Sequence, residues 1–292
     1  MTNKKLEAKR LGIFLFLAFA LTWIPAWILN AVFGYDKWFN SNEIPLFSAI
    51  FGYGPALANV LTRKITHEGW HDSLLHLNIK TKLRYYVFAV VAMTVLFLPE
   101  GFMITLIYGH GDFSNMGSGM NWKERTASVL LILITSPVLA FITFGEEFGW
   151  RGYMNQKMEK LIGTTGTVFL GGIIWGVWHA ELTVKGHNFG TDYPGFPYMG
   201  ILMMCIICTF EGMILMWITK KTGSIYPACI LHAMNNNGGS SLAYLLVSGV
   251  PEDFHLSIPQ SILTGIPSYI LASIFLVLML RDNRTKMKEL KA

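Results

Sequence analysis

The sequence predicts an all-α, polytopic membrane protein with about eight transmembrane helices. Three observations carry this. The chain is 52% hydrophobic and only 14% charged, with a mean hydropathy of +0.43, a balance foreign to soluble globules. Apolar runs recur along it, most near the roughly 20 residues a helix needs to cross about 30 Å of hydrocarbon. Charged and polar residues that membrane helices normally avoid interrupt three of those runs.

The first run, Leu11 to Val32, exceeds the roughly 7 to 15 apolar residues of a signal peptide and has no small-residue cleavage site, so it reads as a span. Seven more follow: Ile44 to Leu61, Tyr85 to Tyr108, Thr126 to Phe144, Gly166 to Leu182, Tyr198 to Ile218, Ser224 to Val247, and Ile262 to Leu280. With both termini in the cytoplasm, 19 of the 23 Lys and Arg fall on inner segments. Lys37, Lys123, Arg125 and Lys185 fall on outer loops, the asymmetry of the positive-inside rule. The net charge of +5 then reflects orientation and contact with anionic lipids; it calls for no nucleic-acid partner.

Between the second and third runs, "THEGWHDSLLHLNIKTKLR" (Thr66 to Arg84) alternates apolar and charged residues at near-helical spacing, which predicts a helix along the inner interface. "NQKMEKLI" (Asn155 to Ile162) predicts a shorter one. "GHGDFSNMGSGMNWKE" and "KGHNFGTDYPGFPYMG" read as irregular connections. No internal repeat divides the chain, so residues 1–292 read as one integral membrane domain. Cys205, Cys208 and Cys229 lie in apolar runs. The C-x-x-C of the first two has no second pair beside it and reads as packing, not zinc or redox chemistry.

The chemistry sits in "LAFITFGEEFGWRGYM", "WGVWHAE" and "ILHAMNN". These supply Glu146, Glu147 and Arg151; Trp175 and His179; His232 and Asn236. Helical residues four apart share a face, which pairs Glu147 with Arg151, Trp175 with His179, and His232 with Asn236. Glu146 and Glu147 point about 100° apart, so one can face a cavity while Arg151 holds the other. A carboxylate and two imidazoles from three helices suit amide hydrolysis. The glutamate takes a proton from water while a histidine orients the water or protonates the leaving amine. The second histidine and the asparagine donate to the oxyanion. Glu146, His179 and His232 could equally hold a zinc ion. A lone intramembrane histidine is more often a hydrogen-bond partner between helices; the conjunction of three such elements favours chemistry.

"HEGWH" (His67 to His71) matches the H-E-x-x-H zinc motif letter for letter. Gly69 weakens the helix that motif needs, Arg63, Lys64 and Asp72 flank it, and only His76 offers itself as a third ligand, so a surface helix is the favoured reading. Glu100 and Glu211 also fall inside spans and raise a second class, a proton-coupled transporter. The lack of inverted repeats and of matched Gly or Pro breaks argues against it. A third class is a non-catalytic peptide-binding scaffold or immunity protein.

"EEFGWR" followed by "GYM", "WGVWH", and "HAMNN" preceded by "TGSIYPACIL" resemble the EExxxR, FxxxH and HxxxN motifs of the CAAX protease and bacteriocin-processing (CPBP, Abi) family of intramembrane endopeptidases. Trp175 stands where the second motif has Phe. The resemblance covers about Ser128 to Ser240 and implies a catalytic core near residues 126–247. It implies Glu146 and His179 as water activators, His232 and Asn236 on the oxyanion side, and Glu147, Arg151 and Trp175 in support. The family was first described as metal-dependent, but its eukaryotic prenyl-protein members resemble glutamate enzymes without a catalytic metal. The expectation is therefore no required cofactor, with zinc as the alternative. The implied substrate is a peptide or protein, such as a prenylated C-terminus or a bacteriocin or pheromone precursor.

Overall fold

A computed structural model of the chain describes residues 4–34, 51–111, 120–239 and 256–290. Among them every regular element is helical: α1 (Lys4–Phe33), α2 (Gly54–Ile65), α3 (Ile79–Ile107), α4 (Trp122–Val138), α5 (Ala140–Gly149), α6 (Asn155–Trp178), α7 (Tyr198–Thr222), α8 (Tyr226–Met234) and α9 (Ile258–Glu289), with a four-residue helical turn at Ala180–Thr183 and π turns at Trp150–Met154 and Asn235–Gly239. The all-α polytopic class is borne out. Among the described residues five stretches are long and apolar enough to cross a bilayer: α1, α3, the run from α5 to α6 (Ala140–Trp178), α7 and α9.

The expected count of eight is not confirmed. The second expected span is described only from Phe51 onward, and its helix α2 has 12 residues. The fourth, Thr126 to Phe144, is cut at Leu139. Pro137 lacks the N–H of a helical hydrogen bond, the Leu139 N–H turns back to Ser136 and Pro137 carbonyls, and a new helix starts at Ala140. α5 and α6 run on through a π-helical turn, Trp150–Met154, so the expected fifth span, Gly166 to Leu182, is the second half of α6 as far as Trp178 with the short helix Ala180–Thr183 after it. "NQKMEKLI" forms the first turns of α6, as expected, set off by Gly163 at φ 72° and ψ 176°. The seventh run is helical through α8 and a π turn to Gly239; residues 240–247 lie outside the described part.

The interfacial helix expected at Thr66 to Arg84 does not form before Ile79. His67, Leu74 and Asn78 take φ of 51°, 58° and 52°, left-handed values that a continuous helix excludes. Buried polar contacts override the amphipathic pattern here. Arg63, 1% exposed, donates to Asp72 Oδ1 at 2.6 Å and to Asn59 Oδ1 at 2.8 Å. Glu68 pairs with Lys157 and accepts from the Tyr153 hydroxyl at 2.8 Å. His67 and His71 consequently share no helical face, and the zinc geometry of H-E-x-x-H is not formed. Arg63, Arg151 and Lys157, counted as inner-surface cations by the sequence, are instead buried and paired, as buried charges must be.

Two close helix approaches build the core around the site. A Cβ on Gly176 of α6 would stand 2.5 Å from Cys205 Cα of α7, and one on Gly145 of α5 would stand 2.5 Å from the Gly52 carbonyl oxygen. Only glycine permits such backbone contact. The Thr143 hydroxyl donates to the Cys229 carbonyl at 2.7 Å and joins α5 to α8. The π turn frees a carbonyl of α5, and Asn59 Nδ2 of α2 donates to Phe148 O at 2.8 Å.

Candidate active site

The end of α5 presents two carboxylates to two environments. Glu147 is fully buried. Its Oε1 accepts from Arg151 NH1 at 3.0 Å and from His232 Nδ1 at 2.8 Å. Glu146 keeps 13% side-chain exposure, and so does His179 at 12%; these two are the reachable members of the cluster. The roughly 100° between adjacent helical residues separates the two roles.

Trp175 organises what lies between them. Its Nε1 donates to Glu146 Oε2 at 2.7 Å. The Arg151 guanidinium lies 4.0 Å from the centre of its ring, a cation–π contact in a dry setting. The His232 ring meets it edge-on at 5.3 Å. One indole thus touches members of all three motifs.

His179 ends α6. Its Nδ1 lies 2.9 Å from the Trp175 carbonyl, and because a carbonyl only accepts, Nδ1 carries the proton. In the neutral ring Nε2 then bears the lone pair, and Nε2 faces Glu146 Oε2 at 3.9 Å. That gap is too long for a direct hydrogen bond and lets a third atom sit within about 2.8 Å of both. The same logic fixes His232: Nδ1 donates to the Glu147 carboxylate, leaving Nε2 for another partner.

The structure therefore brings together Glu146, Glu147, Arg151, Trp175, His179 and His232. Asn236 is placed apart: it is exposed on the π turn after α8, and its Oδ1 accepts from Asn235 at 3.3 Å. Asn235, not Asn236, reaches inward, to Glu211 Oε2 at 3.2 Å. Glu211 is buried on α7, which gives that intramembrane acid a partner. A small cavity with room for about one water lies behind Arg151 and Trp175, lined by Trp150, Thr167 and Cys208; Glu146 and His179 do not line it.

The fit to a metal is poor. Among the described residues no three His, Cys, Asp or Glu side chains converge in metal-binding geometry. The His232 nitrogen nearest the acids is already engaged by Glu147, a carboxylate that also holds Arg151. Cys205, Cys208 and Cys229 are free thiols, and Cys208 Sγ packs 3.9 Å from His179 Nδ1.

Three groups near the site escape sequence reasoning. Trp178 stands edge-on to His179 at 4.8 Å, but one more Trp in an apolar run carries no signal. Asn59 binds the carbonyl one residue beyond Glu147, from a helix 89 positions away. His187, half-buried between α6 and α7, has its proton affinity lowered to about 4 by burial and by the charge of His179, partly offset by Glu146. Only its place in a Gly-rich loop was visible in the sequence.

Residues 126–238 match the family described as type II CAAX prenyl endopeptidase, Rce1-like. The stretch carries every side chain of the cluster, and the resemblance read from the three motifs is borne out over it. The chain is also 25% identical over 141 residues to lysostaphin resistance protein A of Staphylococcus haemolyticus, covering 48% of this chain and 35% of that protein. It therefore spans about a third of the length of that curated relative.

Proposed function

We propose that the protein is an intramembrane endopeptidase that hydrolyses a peptide bond with water activated by Glu146 and His179, with no step through a metal. The observation that carries this reading is Glu146 Oε2 facing the unprotonated Nε2 of His179 at 3.9 Å. A water seated against both atoms gives one proton to Glu146 as its oxygen attacks the scissile carbonyl carbon. His232, protonated on both nitrogens with Nδ1 donating to the Glu147 carboxylate, donates from Nε2 to the oxyanion together with the Asn236 amide, which reaches it by a turn of the π segment that carries it. The proton then passes to the leaving nitrogen, the C–N bond breaks, the product acid gives its remaining proton to the freed amine, and a carboxylate and an ammonium depart. Low polarity around the cluster strengthens each contact.

In this reading residues 1–292 form one integral membrane domain with both termini cytoplasmic and its catalytic core near 126–247. The substrate is a membrane-associated peptide or protein, of which a prenylated C-terminus is the first to test, given the family matched by residues 126–238.

The test is cleavage of quenched peptides, prenylated and plain, by purified detergent-solubilised protein with and without a zinc chelator. Activity resistant to chelation and abolished by Glu146→Ala, His179→Ala or His232→Ala is expected. Arg151→Ala should lower both protein level and activity, because it strands the buried Glu147. Full cleavage by Glu146→Ala refutes the assignment, and loss of wild-type cleavage on chelation refutes the metal-free step.

A further inference from the structure

We propose that α1, which lies outside the family-matched segment, belongs to the catalytic apparatus: Thr22, Trp23 and Trp27 are positioning residues that clamp the turn bearing His179. This rests on the role given to His179 above. Side-chain hydrogen bonds join this one helix to both flanks of that residue. Before His179, Trp23 Nε1 donates to the Trp178 carbonyl at 2.9 Å, and Trp178 Nε1 donates to Thr22 Oγ1 at 3.0 Å. After it, Trp27 Nε1 donates to Glu181 Oε2 at 2.7 Å.

Local structure explains why a clamp is needed. α6 ends at Trp178, and the last carbonyls of a helix have no partner within it. The Trp23 indole supplies one to the Trp178 carbonyl, at the point where His179 leaves the helix. Thr22 is fully committed: its hydroxyl donates to the Ala18 carbonyl at 2.7 Å and so presents a lone pair to Trp178. Glu181 is held on its other side by Lys185, four residues on, so its carboxylate links the turn after His179 to α1.

The Trp178 ring is what transmits this to the imidazole. It is 1% exposed and is wedged between Phe51 at 4.6 Å and Trp150 at 5.6 Å. Its edge-on contact at 4.8 Å sets a rigid wall against the imidazole of His179. With Nδ1 tied to the Trp175 carbonyl, the position of this wall sets how far Nε2 stands from Glu146. An ordinary packing helix would need apolar side chains here; instead two indole N–H donors and one hydroxyl acceptor of α1 meet a single turn.

The test compares Thr22→Val, which keeps shape and loses the acceptor, with Thr22→Ser, which restores it, and adds Trp27→Phe and the double variant T22V/W27F. Peptide cleavage and hydrogen exchange are measured on the full-length protein in detergent. T22V is expected to lower kcat about tenfold with KM within about twofold of wild type. Thr22→Ser should return kcat to near the wild-type value. Exchange in 176–183 should quicken in T22V and W27F while that of 226–234 stays unchanged.

Wild-type kcat and wild-type exchange in the double variant overturn the clamp. So does a fall in kcat that Thr22→Ser fails to reverse, or exchange that rises equally in both segments, since either marks general loosening. If the wild type cleaves no peptide, the proposed function fails, whereas the exchange experiment still decides whether α1 holds this turn.

Discussion

Replacing Gly176 with alanine tests the geometry from which the whole site follows. The added methyl carbon would stand 2.5 Å from Cys205 Cα and 2.6 Å from Cys205 N. Both are backbone atoms of α7, so no side chain can swing aside to make room. Ordinary contact begins near 3.4 Å, so α6 and α7 must part by about 0.9 Å in a core packed as densely as a crystal. Overpacking of this kind costs about 1 to 3 kcal/mol. The rate should suffer more, because Gly176 lies directly after Trp175 and three residues before His179. A displacement near 1 Å of reacting groups costs about a hundredfold. The assay pairs thermal unfolding in detergent, followed by tryptophan fluorescence, with single-turnover peptide cleavage. A G176A protein with wild-type Tm and wild-type rate would refute the close approach of α6 and α7. A lowered Tm with an unchanged rate would refute the link between that approach and the site.

Other outcomes follow from polar groups around the site. Asn59→Leu leaves the Phe148 carbonyl and the Arg63 Nε without their partner; a loss of about 1 to 3 kcal/mol is expected, read from denaturant midpoints, and an unmoved midpoint contradicts it. Burial disfavours ionised Asp72, but the Arg63 hydrogen bond and charge, with help from Lys157, outweigh burial and hold its carboxyl below the usual range. Its folded pKa lies below its unfolded one of about 4, so its contribution is present above that pH and lost as pH falls through the lower folded value. Asp72→Asn should therefore flatten the acid limb of Tm against pH, and an unchanged limb counts against the Arg63 pair. His187 behaves similarly in a higher window. Its folded value of about 4 lies under an unfolded value of about 6.5, so the stability from its neutral ring is present above about pH 6.5 and lost as pH falls toward 4. His187→Gln should remove that slope, and persistence of the slope in the variant would show that another group causes it.

Much of the site was legible because helices impose short-range rules. The Glu147–Arg151 pair four residues apart was expected and is found at 3.0 Å. Trp175 and His179 were expected on one face, and their rings lie 5.9 Å apart. The different environments of Glu146, part-exposed, and Glu147, fully buried, were likewise written in their adjacency. What failed were the places where distant groups compete with local pattern. The amphipathic run from Thr66 lost its helix because Arg63 and Lys157 claim Asp72 and Glu68. The second half of the His232 and Asn236 pairing failed because a π turn follows Met234, so Asn235 rather than Asn236 points inward to Glu211.

By itself the sequence determined the all-helical membrane class, the three polar motifs and which side chains within each motif share a face, because hydrophobic length and a repeat of 3.6 residues act along one helix. Only the tertiary structure decided that Glu147 reaches His232, that Trp175 donates to Glu146, and that α1 grips the turn of His179. These contacts join residues 29 to 156 positions apart, and such partners are chosen by the packing of whole helices, through glycines that let backbones meet and buried charges that must find one another.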